Sequence, residues 1–109
     1  MIDWNDFEKV DLRVGRIVSA EEFPEAREPA YKLRVDFGAE IGTKTSSARI
    51  TDRYTTGDLV GKLVIGVTNF PPMQIGPFVS GCLVTGFVTE GGVVLAVPEG
   101  EVPLGTKLA

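Results

Sequence analysis

Apolar and charged residues alternate without a break through Tyr31-Lys32-Leu33-Arg34-Val35-Asp36-Phe37. A period of two is that of a half-buried strand. Tyr31, Leu33, Val35 and Phe37 are therefore expected to face a core, and Lys32, Arg34 and Asp36 to face out. Val10 to Val18 repeats the pattern until Gly15-Arg16-Ile17 breaks its phase. A bulge or bend at Gly15 accounts for the break, since small barrels curl their strands at such points. In the β-branched, polar stretch Thr43 to Thr51, Ala48 and Ile50 are expected inside. Thr45, Ser47, Arg49 and Thr51 then share the outer face. Lys62–Thr68, Cys82–Thr89 and Gly92–Val97 are apolar runs suited to central strands, with glycine or proline at nearly every join.

Helix is scarce. Asp3 is placed to cap a short turn carrying Trp4 and Phe7 on one side. Its simplest use is a plug over one barrel end, with a binding role as the other reading. A second helical turn is expected within residues 52–60. Short strands, turns between them and a bend in the first long strand predict an all-β domain. The expected form is a five-stranded OB-type barrel with short helical additions at the N-terminus and between strands. A β-sandwich is the alternative from pattern alone. The 109 residues fit one domain, 1–109, long enough to bury a core without staples.

Composition narrows the chemistry. There is no histidine, so the commonest general base and metal ligand is missing. One cysteine, Cys82, permits no internal disulfide and reads as a small buried hydrophobe. No P-loop or dinucleotide-binding glycine pattern occurs. Neither a catalytic role, a metal nor a cofactor is expected. The acidic, polar start does not read as a signal peptide, and no apolar run nears the ~20 residues of a membrane helix. A cytoplasmic protein without membrane insertion is the expectation. Glu21-Glu22 and Glu25-Ala26-Arg27-Glu28 read as a solvated loop.

Net charge is −4, from 15 acidic and 11 basic residues. That opposes strong non-specific binding to nucleic acid, which rests on phosphate neutralisation. Residues 31–53 run against the average, with Lys32, Arg34, Lys44, Arg49 and Arg53 outnumbering Asp36, Glu40 and Asp52. A local patch of this kind can meet phosphate in an acidic chain.

The unusual stretch follows the strand at Lys62. Phe70, Met73 and Ile75 lie in an expected loop stiffened by Pro71 and Pro72. Surface loops usually shed apolar residues, and prolines reduce the entropy lost when a loop grips a partner. The stretch reads as a pre-shaped adhesive surface. The plainer reading folds Phe70 and Ile75 back onto the core.

Several blocks carry a family resemblance. Asp11-Leu12-Arg13-Val14-Gly15-Arg16-Ile17, Leu59-Val60-Gly61-Lys62 with the strand to Asn69, Ser80 with Leu83-Val84, and Pro103-Leu104-Gly105-Thr106-Lys107 resemble the tRNA-binding OB domain. That domain is also appended to methionyl- and phenylalanyl-tRNA synthetases. Asp6-Phe7-Glu8-Lys9, Ala20 to Arg27, Ser46-Ser47-Ala48 and Asn69-Phe70-Pro71-Pro72 are similar to the small free-standing CsaA family, over essentially the whole chain. The resemblance implies a homodimeric, cytoplasmic chaperone linked to protein export, binding unfolded or pre-secretory polypeptide through apolar pockets. It also implies a wider kinship with proteins that bind tRNA by shape. Met73 and Gln74 stand where many relatives have basic residues, and Ser80-Gly81-Cys82-Leu83 replaces a Ser-x-Gly-Met pattern. Both departures favour peptide over RNA.

Two sets of site residues follow. Phe70, Pro71, Pro72, Met73, Ile75 and Phe78 form the expected peptide surface, with β-type pairing at an exposed strand edge. Holding of clients without ATP is expected. For the alternative RNA surface, Arg13, Lys32, Arg34, Lys44, Arg49 and Arg53 are the phosphate contacts. Ser47, Asn69 and Ser80 add hydrogen bonds, and Tyr54 offers a base stack. Against this, charged strand faces are ordinarily solvated, and the Asn69 amide has a plainer use in tying down its own loop. The segment from Val93 to Leu108, with Trp4 and Phe7, supplies the candidate dimer contacts. Protein-export machinery is a further candidate partner.

Overall fold

The computed structural model describes every residue from Met1 to Ala109. Its elements are α1 (Trp4–Glu8), β1 (Leu12–Glu22), β2 (Tyr31–Asp36), β3 (Thr43–Ala48), α2 (Thr56–Leu59) and β4 (Leu63–Val67). β5 (Met73–Ile75), β6 (Phe78–Ser80), β7 (Leu83–Val84), β8 (Gly86–Thr89) and β9 (Gly92–Leu95) follow. Five of these strands form an antiparallel sheet in the order β3-β2-β1-β4-β7. The ends of that sheet meet where the Gly81 and Cys82 N–H groups donate to the Thr45 carbonyl, at 2.7 and 3.1 Å. The result is a nearly closed five-stranded barrel of the OB type, as the alternation predicts. No helix is long and apolar enough to cross a membrane.

The β2 alternation holds throughout, with Tyr31, Leu33, Val35 and Phe37 all buried. Ala48 and Ile50 join them, and so does Ser46, whose polarity hid its inward phase. α2 lies in the expected segment. Thr55 and Asp58 close a capping box, and fully buried Leu59 fills the barrel interior.

Four expectations change. The phase break in β1 is not a bulge at Gly15: the register against β2 slips between Ile17 and Ser19. Gly15 instead makes room for the core, because a Cβ there would stand 2.6 Å from Val35 and 2.8 Å from Phe37. Glu21 and Glu22 are not loop residues; they extend β1 opposite Lys32 and Tyr31. Asp3 does cap α1 through a capping box with Asp6, but the helix is no plug. It buries nothing, and Trp4 is 80% exposed. Finally, Cys82–Thr89 does not form one central strand. Leu83 and Val84 pair with β4 and the Thr85 N–H donates to the Ile65 carbonyl, after which β8 turns away to pair with β9, leaving Phe87 and Val88 exposed.

The C-terminal segment completes the edge of β1. Val14 N–H donates to Thr106, Gly105 N–H donates to Val14, and Leu108 N–H donates to Leu12, with Arg13 opposite Lys107. β2 takes up the same edge further along, from Arg16.

Candidate functional site

The stretch after Asn69 is a β-hairpin and not a loop. β5 and β6 pair Met73 with Ser80, Gln74 with Val79 and Ile75 with Phe78, turning at Gly76 with φ +56°. Strand pairing puts directly opposed residues on one face. Met73, Ile75, Phe78 and Ser80 therefore share a face, and Gln74 and Val79 take the other. The hairpin is held to β3 along β6. Thr45 Oγ1 donates to the Val79 carbonyl at 2.6 Å, and the Ser47 N–H donates to Ser80 Oγ at 3.1 Å.

Between this hairpin and the barrel lies an open groove of about 660 Å³. Phe70, Pro71, Pro72, Met73 and Ile75 line it, together with Ser47, Arg49, Ser80, Cys82 and Leu83. Phe70 is 52% exposed and Met73 63%, so neither folds back fully onto the core. The surface brings together most of the expected peptide set and three members of the RNA set. Arg49 is the one charged residue in the lining, and it is ion-paired to Glu28. Cys82 is buried, and burial pushes its thiol up to about 11, which keeps it neutral. Cys82 and Leu83 were not expected here. Their signal was the small-then-apolar pair directly after Ser80-Gly81, where the chain crosses from hairpin to barrel.

Phe78 stands outside the lining. Its ring packs edge-on against Phe23, centroids 5.3 Å apart, and the Lys32 ammonium lies 5.0 Å from the Phe23 centroid and 5.9 Å from that of Phe78. Lys32 also reaches Glu25 at 4.0 Å. These contacts clasp the hairpin's turn end to the segment after β1. Such a cation over aromatic faces is attracted by the ring quadrupoles.

The remaining basic residues do not converge. Arg13 is half-buried, bonded through Nε to Asp11 at 2.8 Å and through Nη1 to the Gly105 carbonyl at 2.9 Å. Lys44 lies opposite inward-facing Val35, out of phase with Lys32 and Arg34. Arg34 and Arg53 are exposed, on β2 and after β3. The Tyr54 hydroxyl accepts from the Leu95 N–H at 3.1 Å, and Lys62 lies over its ring at 5.9 Å, so one ring face is already covered. Asn69 ties down the N-terminal segment: its amide donates to the Lys9 carbonyl at 2.8 Å, and its oxygen accepts from the Asp11 N–H at 3.0 Å. The amide is thus spent within the fold, but on the N-terminal segment and not on its own loop.

Asp11 anchors the same corner and gives a pH prediction. The Thr68 hydroxyl bond, with Arg13 beside it, outweighs burial and holds its carboxyl below the ordinary 3.8. A carboxylate lowered on folding adds stability above its unfolded pKa and loses it as pH falls through the folded one. Wild type is thus expected to lose stability faster than Asp11→Asn as pH drops from about 4. Parallel acid titrations followed by circular dichroism, showing the same slope for both, would contradict this.

Comparison with known proteins follows the same lines. The family described as "Putative tRNA binding domain" matches residues 12–107. The methionine–tRNA ligase of Archaeoglobus fulgidus is 34% identical over 98% of the chain, and that of Methanocorpusculum labreanum 38% identical over 99%. The chain spans only 16% and 15% of those two relatives. Among solved structures, the chaperone CsaA of Bacillus anthracis superposes with a TM-score of 0.93 at 49% identity, covering 100% of this chain and 99% of that one. The CsaA chaperone protein of Picrophilus torridus gives 0.94 at 50%, with complete coverage of both. On a matched domain and a fold shared from end to end, the chain belongs to the tRNA-binding domain family, alongside the CsaA chaperones within it.

Proposed function

We propose that this protein is a chaperone-like polypeptide-binding protein whose groove holds unfolded or pre-secretory chains. The observation that carries the reading is the groove itself. Exposed Phe70 and Met73 and two prolines stand over a floor whose single charge is already paired. Apolar surface of this kind, rimmed by polar residues, marks interaction sites. Met and proline-braced aromatic groups accept varied sequences. The likeness to two CsaA chaperones supports the same role. In this reading the protein works without ATP, as a cytoplasmic homodimer linked to protein export. Exposed Trp4, Phe87 and Val88 give a symmetric partner apolar surface to cover.

The family match makes tRNA the second reading. Of its candidate contacts, Arg13 and Asn69 are engaged within the fold. Competition separates the two readings. A fluorescent unfolded peptide is bound at moderate salt and challenged with deacylated tRNA. The peptide is expected to stay bound. Displacement by tRNA that is reversed at high salt would place RNA on the same surface and revive the second reading. RNA held through phosphates weakens with a slope near ~0.7 per contact on a log–log salt plot.

A further inference from the structure

The hairpin beside the groove has one spent edge and one open edge. β6 lies against β3 through Thr45 and Ser80, and its other side pairs with β5. β5 has β6 as its sole partner in a two-stranded sheet. In a strand of three residues, alternate residues turn their main-chain groups away from the sheet, so the open edge is one or two residues long. The strand that carries this edge also sends Met73 and Ile75 into the groove. Natural edge strands are commonly blunted by lysine, proline or a bulge. Here the prolines stop at Pro72, and Met73-Gln74-Ile75, though only three residues long, carries none of these devices.

An open edge on a strand that lines an apolar groove selects its occupant by two features. Repeated N–H and C=O groups in strand spacing are complemented by another extended backbone, and a helix has already spent its own. Charge agrees: the lining's one cation is already ion-paired to Glu28, so the groove matches an uncharged segment better than a polyanion. We infer that the protein captures clients by strand addition: an extended, uncharged polypeptide segment pairs with β5 and sets alternate side chains into the groove. This rests on the polypeptide-binding reading and specifies its mode. Main-chain pairing supplies affinity common to all sequences, and the groove asks only that alternate residues be apolar.

Peptide chemistry tests this without altering the protein. A fluorescein-labelled, uncharged octapeptide rich in valine, leucine and threonine is made in three forms: unmodified, N-methylated at two even positions, and N-methylated at two odd positions. In an added strand, alternate N–H groups face the protein. One methylated register is expected to lose about fivefold or more in affinity by anisotropy, as at least one pairing bond is lost. The other register should bind within about twofold of the parent. Equal binding by both registers, or equal loss in both, overturns strand addition and leaves polypeptide binding standing. If the unmodified peptide does not bind at all, the polypeptide reading itself falls, and strand addition with it.

Discussion

Serine at both Phe70 and Met73 is expected to abolish the suppression of client aggregation while leaving the protein folded. Each side chain is about half exposed, at 52% and 63%, and neither belongs to the buried core. Fully burying a large apolar side chain is worth about 1.5–3 kcal/mol. Covering the exposed part of both therefore contributes on the order of 2–3 kcal/mol to client binding. Its loss corresponds to a fall in affinity of roughly 30- to 150-fold. Substitutions at such exposed sites change stability by about 0.5 kcal/mol or less each, so the melting temperature should move by no more than about 4–8 °C in total. Light scattering from a denatured client and anisotropy with a labelled peptide read the two effects. A control sits on the opposite hairpin face: Val79→Ser removes a similarly exposed apolar group that does not line the groove. It should hold clients like wild type. A folded double variant with undiminished activity would remove the groove from the mechanism.

The second large effect is on stability. Phe37 is 1% exposed and lies across two strands at positions that have no side chain. A Cβ on Gly15 would meet its ring at 2.8 Å and Val35 at 2.6 Å, and one on Gly66 would meet the ring at 2.9 Å. Real Cβ atoms do not approach so closely, so either alanine must push a ring that has nowhere to go. Overpacking of this kind costs about 1–3 kcal/mol. Gly15→Ala should fall at the upper end, because it meets two side chains. Thermal unfolding is then expected about 10–20 °C lower. The cause can be isolated by a cycle: in a Phe37→Leu background, Gly15→Ala should cost clearly less than it does alone. Additive costs would show that the ring is not what excludes the methyl group.

These two sites differ in how openly the sequence announced them. The core face of β2 was legible because strict alternation leaves no second interpretation: every shift by one residue would bury Lys32 and Arg34. α2 was legible from its position between two apolar runs. Gly15 was noticed for the right reason, a broken phase, but the register shift lies further on, between Ile17 and Ser19. A glycine that bends a strand and one that admits a neighbour's ring look alike until the neighbour is known. Phe37 is 22 residues away, and its arrival over Gly15 is a matter of tertiary register. The exposure of Phe70 and Met73 was legible as well, since apolar groups stand there where turns usually lose them. The hairpin that follows was not, because Pro71, Pro72 and Pro77 mask two strands of three residues each. Phe78 was grouped with the groove by sequence proximity, yet Phe23 and Lys32, brought in by β1 and β2, claim it. In the sequence, the peptide and RNA candidates read as rival sites. Ser47, Arg49 and Ser80 in fact border the same groove as Phe70 and Met73, because β3 runs beneath the hairpin. Only the barrel's closure at Thr45 determines that.

The seam between β1 and the segment around Thr106 also bears on how the chain folds. Leu12 to Val14 are bonded to residues 105–108, so the strand that begins the barrel is finished by the segment that ends it. Pairings so distant along the chain must pay the entropy of closing a long loop before they are rewarded. Topologies built on them fold slowly, in milliseconds to seconds. On a ribosome, the open edge of β1 waits for the whole barrel to be synthesised. During that interval the start of β1 has no partner along that edge. A chain released before residues 105–108 have emerged would therefore lack the partner of Leu12 to Val14, so the last residues made are also those that seal the first strand.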